Sequence, residues 1–236
     1  MSLDFAHIEK TSLLDYPREV CSTLFTVGCN FRCPFCHNRF LVVPEEFPPQ
    51  RISPEQALSE LSKRKRYVSA ATITGGEPTI HADLPWFISS LKDEGIKVKL
   101  DSNGTNPEML KELYSKEFLD YVAMDIKSSL DFYEESAGTG VDISKIKESV
   151  EIIRNSGIPY EFRTTVVPGL HDLEKMEEIG KWLEGSDYYV IQSFSPEGGT
   201  LEDSFSLRKP FADKELNAFV DAAKPYFKKV VLRTYY

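Results

Sequence analysis

The chain has 236 residues, room for one large domain or two small ones with a real buried core. With 41% hydrophobic and 28% charged residues it has the composition of an ordinary soluble globular protein. A net charge of −9 argues against a broad electrostatic grip on nucleic acid, and no stretch nears the ~20 apolar residues that span a bilayer. The opening MSLDFAHIEK has no apolar run behind a basic start, so no signal peptide is expected and the cytoplasm is the expected compartment.

In chain order, a first strand is predicted over 20–27, VCSTLFTV. It contains Cys21, which reads as a buried core residue rather than a ligand. A cysteine loop over 28–38 follows, then a stretch punctuated by Pro44, Pro48 and Pro49. Ser53, Pro54 and Gln56 spell a helix start: an N-cap, a proline at the first helical position and the partner of a capping box. The basic run Lys63, Arg64, Lys65 and Arg66 reads as that helix's solvated last turn, complementing the dipole. Further strands are predicted at 69–74, 97–102, 119–126, 159–167, 188–194 and 230–236. Helices fall between them at 82–95, 107–116, 142–157, 173–185 and 211–224, with a short helical stretch near 130–136. Gly95, Gly157 and Gly185 stand where helices should end. The alternation implies α/β architecture with a parallel sheet, as an open doubly wound sheet or a barrel. No linker or low-complexity run appears, so residues 1–236 are expected to form a single domain.

The cysteine loop is the strongest chemical signal. Cys29, Cys33 and Cys36 lie within GCNFRCPFCHN, three of only four cysteines in the chain. Three thiolates leave one position of a metal or cluster site open, whereas a closed structural zinc site takes four protein ligands. Other unusual segments fall at the C-terminal ends of predicted strands, where α/β folds place their chemistry. Gly75 and Gly76 leave room for close backbone approach beside the Glu77 carboxylate, though Gly-Gly also marks ordinary turns. Asp101, Ser102 and Asn103 are turn formers. Asp125 and Lys127, two apart, point the same way, to bind a cation or to neutralise each other. Arg163 needs a partner inside an apolar strand, either Glu161 on the same face or a ligand. His37 reads as a loop residue, and His7, His81 and His171 show no metal-ligand spacing.

CxxxCxxC with Phe35 before the last cysteine, followed by GGEP at Gly75–Pro78 and by DSNG from Asp101, resembles the radical S-adenosylmethionine (SAM) enzymes. More narrowly, KTSLLDYPREVCSTLFTVGCNFRCPFCHN and EFRTTVVPG resemble the small activases of glycyl radical enzymes, in particular the anaerobic ribonucleoside-triphosphate reductase activating proteins. The resemblance implies a partial (β/α)6 TIM-like barrel in which Cys29, Cys33 and Cys36 hold a [4Fe–4S] cluster and SAM chelates its fourth iron. It implies SAM contacts at Phe35 for the adenine, at Gly75, Gly76 and Glu77 for the amino group, at Ser102 and Asn103, at Lys127 for the carboxylate, and at Arg163. It also implies a monovalent-cation site at Asp101 and Asp125, and no catalytic side chain beyond the cluster. The implied reaction is reductive cleavage of SAM to a 5′-deoxyadenosyl radical that abstracts a hydrogen atom, under anaerobic conditions. The implied partners are a glycyl radical enzyme and a flavodoxin- or ferredoxin-type electron donor. Two alternatives stay open at this point: a radical SAM enzyme acting on a small metabolite, nucleoside or peptide, and a non-catalytic iron–sulfur electron carrier.

Overall fold

Strands and helices alternate along the chain in the computed structural model, which describes residues 2–234. The strands are β1 Phe5–Ser12, β2 Cys21–Thr26, β3 Ala70–Gly75, β4 Lys97–Ser102, β5 Tyr121–Asp125, β6 Tyr160–Val166, β7 Tyr188–Ser193 and β8 Lys229–Arg233. The helices are α1 Arg39–Val42, α2 Pro54–Arg64, α3 Leu84–Asp93, α4 Pro107–Ser115, α5 Tyr133–Ala137, α6 Ile143–Arg154, α7 Leu173–Trp182, α8 Asp203–Ser206 and α9 Asp213–Ala223. Every strand from β2 to β8 was predicted; Tyr235 and Tyr236, the end of the last prediction, lie outside the described residues. Among the described residues no helix is long and apolar enough to cross a membrane.

Local chemistry sets the helix ends. The Ser53 hydroxyl accepts from the Gln56 N–H, and the Gln56 side chain accepts from the Ser53 N–H at 2.9 Å, closing the predicted capping box. Asn106 and Asp172 cap α4 and α7 with side-chain oxygens that accept from the N–H groups of Met109 and Lys175. Gly95, Gly157 and Gly185 terminate α3, α6 and α7 in the left-handed region, at φ of 76°, 78° and 84°.

The chain divides into two compact units, each assembled from separate segments. The first comprises Met1–Asn30, Phe40–Ala123 and Ser144–Pro159; the second comprises Phe31–Arg39, Met124–Ile143 and Tyr160–Tyr236. In the first, β2, β3 and β4 run parallel, with Cys21 opposite Ala70 and Ala70 opposite Lys97. Leu24, Ile73, Val98 and Leu100 from these strands are fully buried with Phe87 and Leu91 of α3, the continuous apolar character of a covered parallel sheet. In the second, β6, β7 and β8 run parallel in that order, and the Tyr189 ring stacks on Phe227 with centroids 4.3 Å apart.

Strand β1 went unpredicted. It pairs antiparallel with β2, and its register shifts twice, between Phe5 and His7 and between Glu9 and Ser12. Bulges break the period-2 alternation that marks a half-buried strand, and His7, Glu9 and Lys10 give it the polar face of an edge.

Candidate active site

The start of the cysteine loop is built in the first unit, at the ends of β2, β3 and β4. Gly28 leaves β2 with φ of 91°, and its N–H donates to the Leu41 carbonyl at 2.7 Å. The Gly76 N–H donates to the Thr26 carbonyl (2.9 Å) and the Glu77 N–H to the Gly28 carbonyl (2.8 Å), so the loop after β3 is laced to the entry of the cysteine loop. A Cβ on Gly76 would drive into the Gly28 carbonyl oxygen, far inside contact distance. Gly76→Ala is therefore expected to displace the loop backbone and cost about 2 kcal/mol by overpacking. A lowered urea midpoint together with poorer iron uptake would check it.

Glu77 is fully buried and both oxygens of its carboxylate are engaged from within the chain. One oxygen accepts from the Thr79 N–H (3.1 Å), the Thr79 hydroxyl (2.5 Å) and the Ser102 hydroxyl (2.9 Å). The other accepts from the Asn103 N–H (2.6 Å). Three of the four donors thus converge on one oxygen and a single one holds the other. Burial pushes the carboxyl above its ordinary value, against the pull of those donors. Glu77 thus gains a structural role that the sequence did not announce: it ties β3 to β4. Asp101, at the end of β4, pairs with the buried Lys99 ammonium.

The rest of the cysteine loop belongs to the second unit. The Cys36 N–H donates to the Cys33 carbonyl at 3.0 Å, a tight turn that puts both cysteines on one short bend. The Arg32 N–H donates to the Ala137 carbonyl (2.8 Å), and Gly138 lies so close to the Arg32 carbonyl that no Cβ would fit there. Phe31 meets Tyr133 edge-on, with centroids 6.5 Å apart. From the other side Leu201 and Glu202 donate backbone N–H groups to the carbonyls of Cys36 and Pro34, at 2.8 and 3.0 Å. Phe35 is buried and His37 is exposed.

A charged row lies at the ends of β5 and β6 of this unit. Asp125 accepts from Arg163 Nε at 2.5 Å and from Lys127 Nζ at 3.0 Å. Arg163 therefore takes Asp125 as its main partner, with Glu161 at 3.9 Å, while Glu161 itself is held by both terminal nitrogens of Arg233 at 3.3 Å. Burial pushes the Asp125 carboxyl up, but Arg163 and Lys127 outweigh it and hold the group well below the usual carboxylate range. Burial likewise opposes the Lys127 charge, and Asp125 more than offsets it. Both carboxylates expected to bind a monovalent cation, Asp101 and Asp125, thus already face protein cations.

His171, to which the sequence assigned nothing, positions Lys127. Its Nδ1 accepts from the Val167 N–H (3.1 Å), so Nε2 carries the proton and donates to the Lys127 carbonyl (2.9 Å). Burial pushes its pKa down to about 4, which keeps the ring neutral near pH 7.

The profile of the Radical SAM superfamily matches residues 23–183, from the strand before the cysteine loop to the end of α7. The chain belongs to the radical SAM superfamily. A Methanocaldococcus jannaschii protein, provisionally named a glycyl-radical enzyme activating enzyme, is 33% identical over 94% of this chain and 92% of its own length. The pyruvate formate-lyase 1-activating enzyme of Escherichia coli is 29% identical over 73% of this chain and 81% of its own. Among solved structures, Streptococcus suis SuiB bound to S-adenosylmethionine superposes with a TM-score of 0.68 at 16% identity, covering 88% of this chain and 48% of that one. The chain thus spans about half of SuiB, and that likeness is one of fold: the α/β partial barrel of radical SAM enzymes.

This radical SAM enzyme has the donor set that the family's [4Fe–4S] cluster requires. Among the described residues no three His, Cys, Asp or Glu side chains are gathered as ligands of a metal ion, so the fit rests on the thiols and their loop. No acidic or histidine side chain interrupts Cys29 to Cys36, and the loop is clamped through backbone at Gly28 and at Arg32. Burial pushes the Cys33 thiol up to about 11 while the Lys127 charge pulls it down; iron coordination would hold it as thiolate outright.

Proposed function

We propose that this radical SAM enzyme cleaves S-adenosylmethionine reductively at a [4Fe–4S] cluster held by Cys29, Cys33 and Cys36 and activates a glycyl radical enzyme. An anaerobic ribonucleotide reductase is the first candidate partner. The observation that carries the reading is the CxxxCxxC loop itself, fixed at Gly28 by Gly76 and at Arg32 by Gly138. The relatives named as glycyl-radical and pyruvate formate-lyase activating enzymes support the choice of partner.

When bound, the cluster and SAM supply one-electron cleavage of the sulfonium to a hydrogen-abstracting 5′-deoxyadenosyl radical. The protein supplies orientation and electrostatics. Lys127, aligned by Asp125 and by the His171 bond to its carbonyl, offers its ammonium to the SAM carboxylate, with Arg163 adding a second positive charge beside it. Phe35 offers an apolar surface to the adenine. A flavodoxin- or ferredoxin-type protein would deliver the electron.

The test is anaerobic: reconstitute and reduce the protein, add SAM, and quantify 5′-deoxyadenosine with and without glycyl radical enzymes from the same organism. Deoxyadenosine together with a glycyl EPR doublet on the partner is the expected result. Deoxyadenosine with no radical on any partner would move the assignment to a small-molecule or peptide substrate. None under any condition would return it to an electron carrier.

A further inference from the structure

The residue after the first cysteine carries a side chain that neither the motif nor the proposed SAM contacts use. The Asn103 amide nitrogen donates to Asn30 Oδ1 at 2.8 Å, and Asn30 Nδ2 donates to the Thr105 hydroxyl at 2.7 Å. That hydroxyl donates in turn to Asn103 Oδ1 at 2.7 Å, and the Thr105 N–H donates to the same oxygen at 3.1 Å. The three side chains form a ring closed head to tail, each donating to the next. An exposed loop asparagine would ordinarily spend its amide on water. Asn30 spends both ends on one turn more than seventy residues away.

The ring stands on buried ground. The Asn103 backbone is fixed to Glu77, the Ser102 hydroxyl bridges Glu77 and the Gly104 N–H, and Ser149 of α6 donates to the Gly104 carbonyl at 2.7 Å. The Glu77 N–H also holds the Gly28 carbonyl. The residues on either side of Cys29, Gly28 and Asn30, are therefore both tied to the same Glu77–Asn103 platform.

We propose that Asn30, Asn103 and Thr105 are positioning residues for the cluster: they hold the chain just after Cys29 while Glu77 holds Gly28 just before it, so the DSNG turn sets how tightly the first iron–sulfur bond is held. The proposal rests on the cluster reading above. Outer partners that orient a metal ligand commonly change metal affinity 10–100-fold when removed, which sets the scale expected here. Hydrogen bonding around the ligands also tunes the cluster's electronic state.

Wild type, Thr105→Val, Thr105→Ser and Asn30→Ala are reconstituted anaerobically. Iron release to a ferrous chelator, the EPR spectrum of the reduced cluster and the unfolding midpoint of the cluster-free chain are then compared. Thr105→Val is nearly isosteric and removes two bonds of the ring; Thr105→Ser keeps them. The expected result is iron release about 10-fold faster in Thr105→Val and Asn30→Ala, with altered g-values. Thr105→Ser should match wild type, and the cluster-free midpoint of Thr105→Val should be unchanged. Equal release and spectra in Thr105→Val and wild type would overturn the proposal while leaving the cluster reading standing. So would equal losses in Thr105→Val and Thr105→Ser, since the hydroxyl would then be irrelevant. A wild-type chain that takes up no cluster would overturn both.

Discussion

Cys33→Ala is expected to remove the cluster and SAM cleavage together: no charge-transfer absorbance after reconstitution, iron at background, and deoxyadenosine below detection. Cys21→Ala should retain both. The two cysteines differ in place, not in chemistry. Cys33 lies on the tight turn with Cys36, its thiol pushed up to about 11 by burial, so only coordination would hold it as thiolate. Cys21 opens β2, and the cysteine loop begins only after Thr26, roughly 16 Å further along an extended strand. It is fully buried against Tyr16, Ala70 and Tyr121, and its sulfur accepts from the Thr72 hydroxyl at 3.6 Å. Removing that sulfur should cost on the order of 1 kcal/mol and lower Tm by a few degrees. A SAM-cleaving cluster in Cys33→Ala would overturn the assignment of ligands, as would loss of the cluster in a folded Cys21→Ala.

Asp125→Asn is expected to cost about 3 kcal/mol at pH 7, toward the low end of what removal of one partner from a buried pair costs. The Asp125 side chain keeps 29% of its surface exposed, while Arg163 and Lys127 keep only 13% and 17%, so two mostly buried cations lose one shared anion. The pH dependence has a definite sign. The folded carboxyl titrates below its ordinary value, so its contribution is complete above the unfolded pKa of about 4 and is lost as pH falls toward the depressed folded value. Denaturant midpoints from pH 7 to pH 3 should show a gap between wild type and variant that is constant down to about pH 5 and narrows below about pH 4. A gap that widens on acidification would show that Asp125 is not the stabilising anion.

These outcomes turn on contacts that differ in how far they could be read from the chain. The Ser53–Gln56 capping box, the glycines at 95, 157 and 185 and the apolar runs of β2 to β8 involve residues a few positions apart, and they folded as their spacing said. The cysteine loop was legible for the same reason: three thiols within eight positions constrain the chemistry whatever the rest of the chain does. The basic run after Leu61 was also legible as a helix end. Lys63 and Arg64 close α2, with Arg64 donating to the Lys10 carbonyl and the Thr11 hydroxyl, and Lys65 pairing with Glu94.

By itself, then, the sequence determined the α/β alternation, the parallel strands and the helix ends marked by caps and glycines, and it supplied the three thiols on which the proposed cluster site rests. Tertiary structure alone decided which partner each polar side chain would take. Arg163 had Glu161 two positions away on its own strand, yet it lies closer to Asp125 on another. Glu77 turned inward to four donors from two segments, and His171 came to hold Lys127 across forty-four positions. Asn30 closed a ring with residues beyond position 100. The physical reason is one of range. Backbone propensity and capping act over one turn or one strand, whereas a buried charge or amide must find whatever complementary group the completed fold brings within hydrogen-bonding distance, because leaving it unpaired costs more than any local preference supplies.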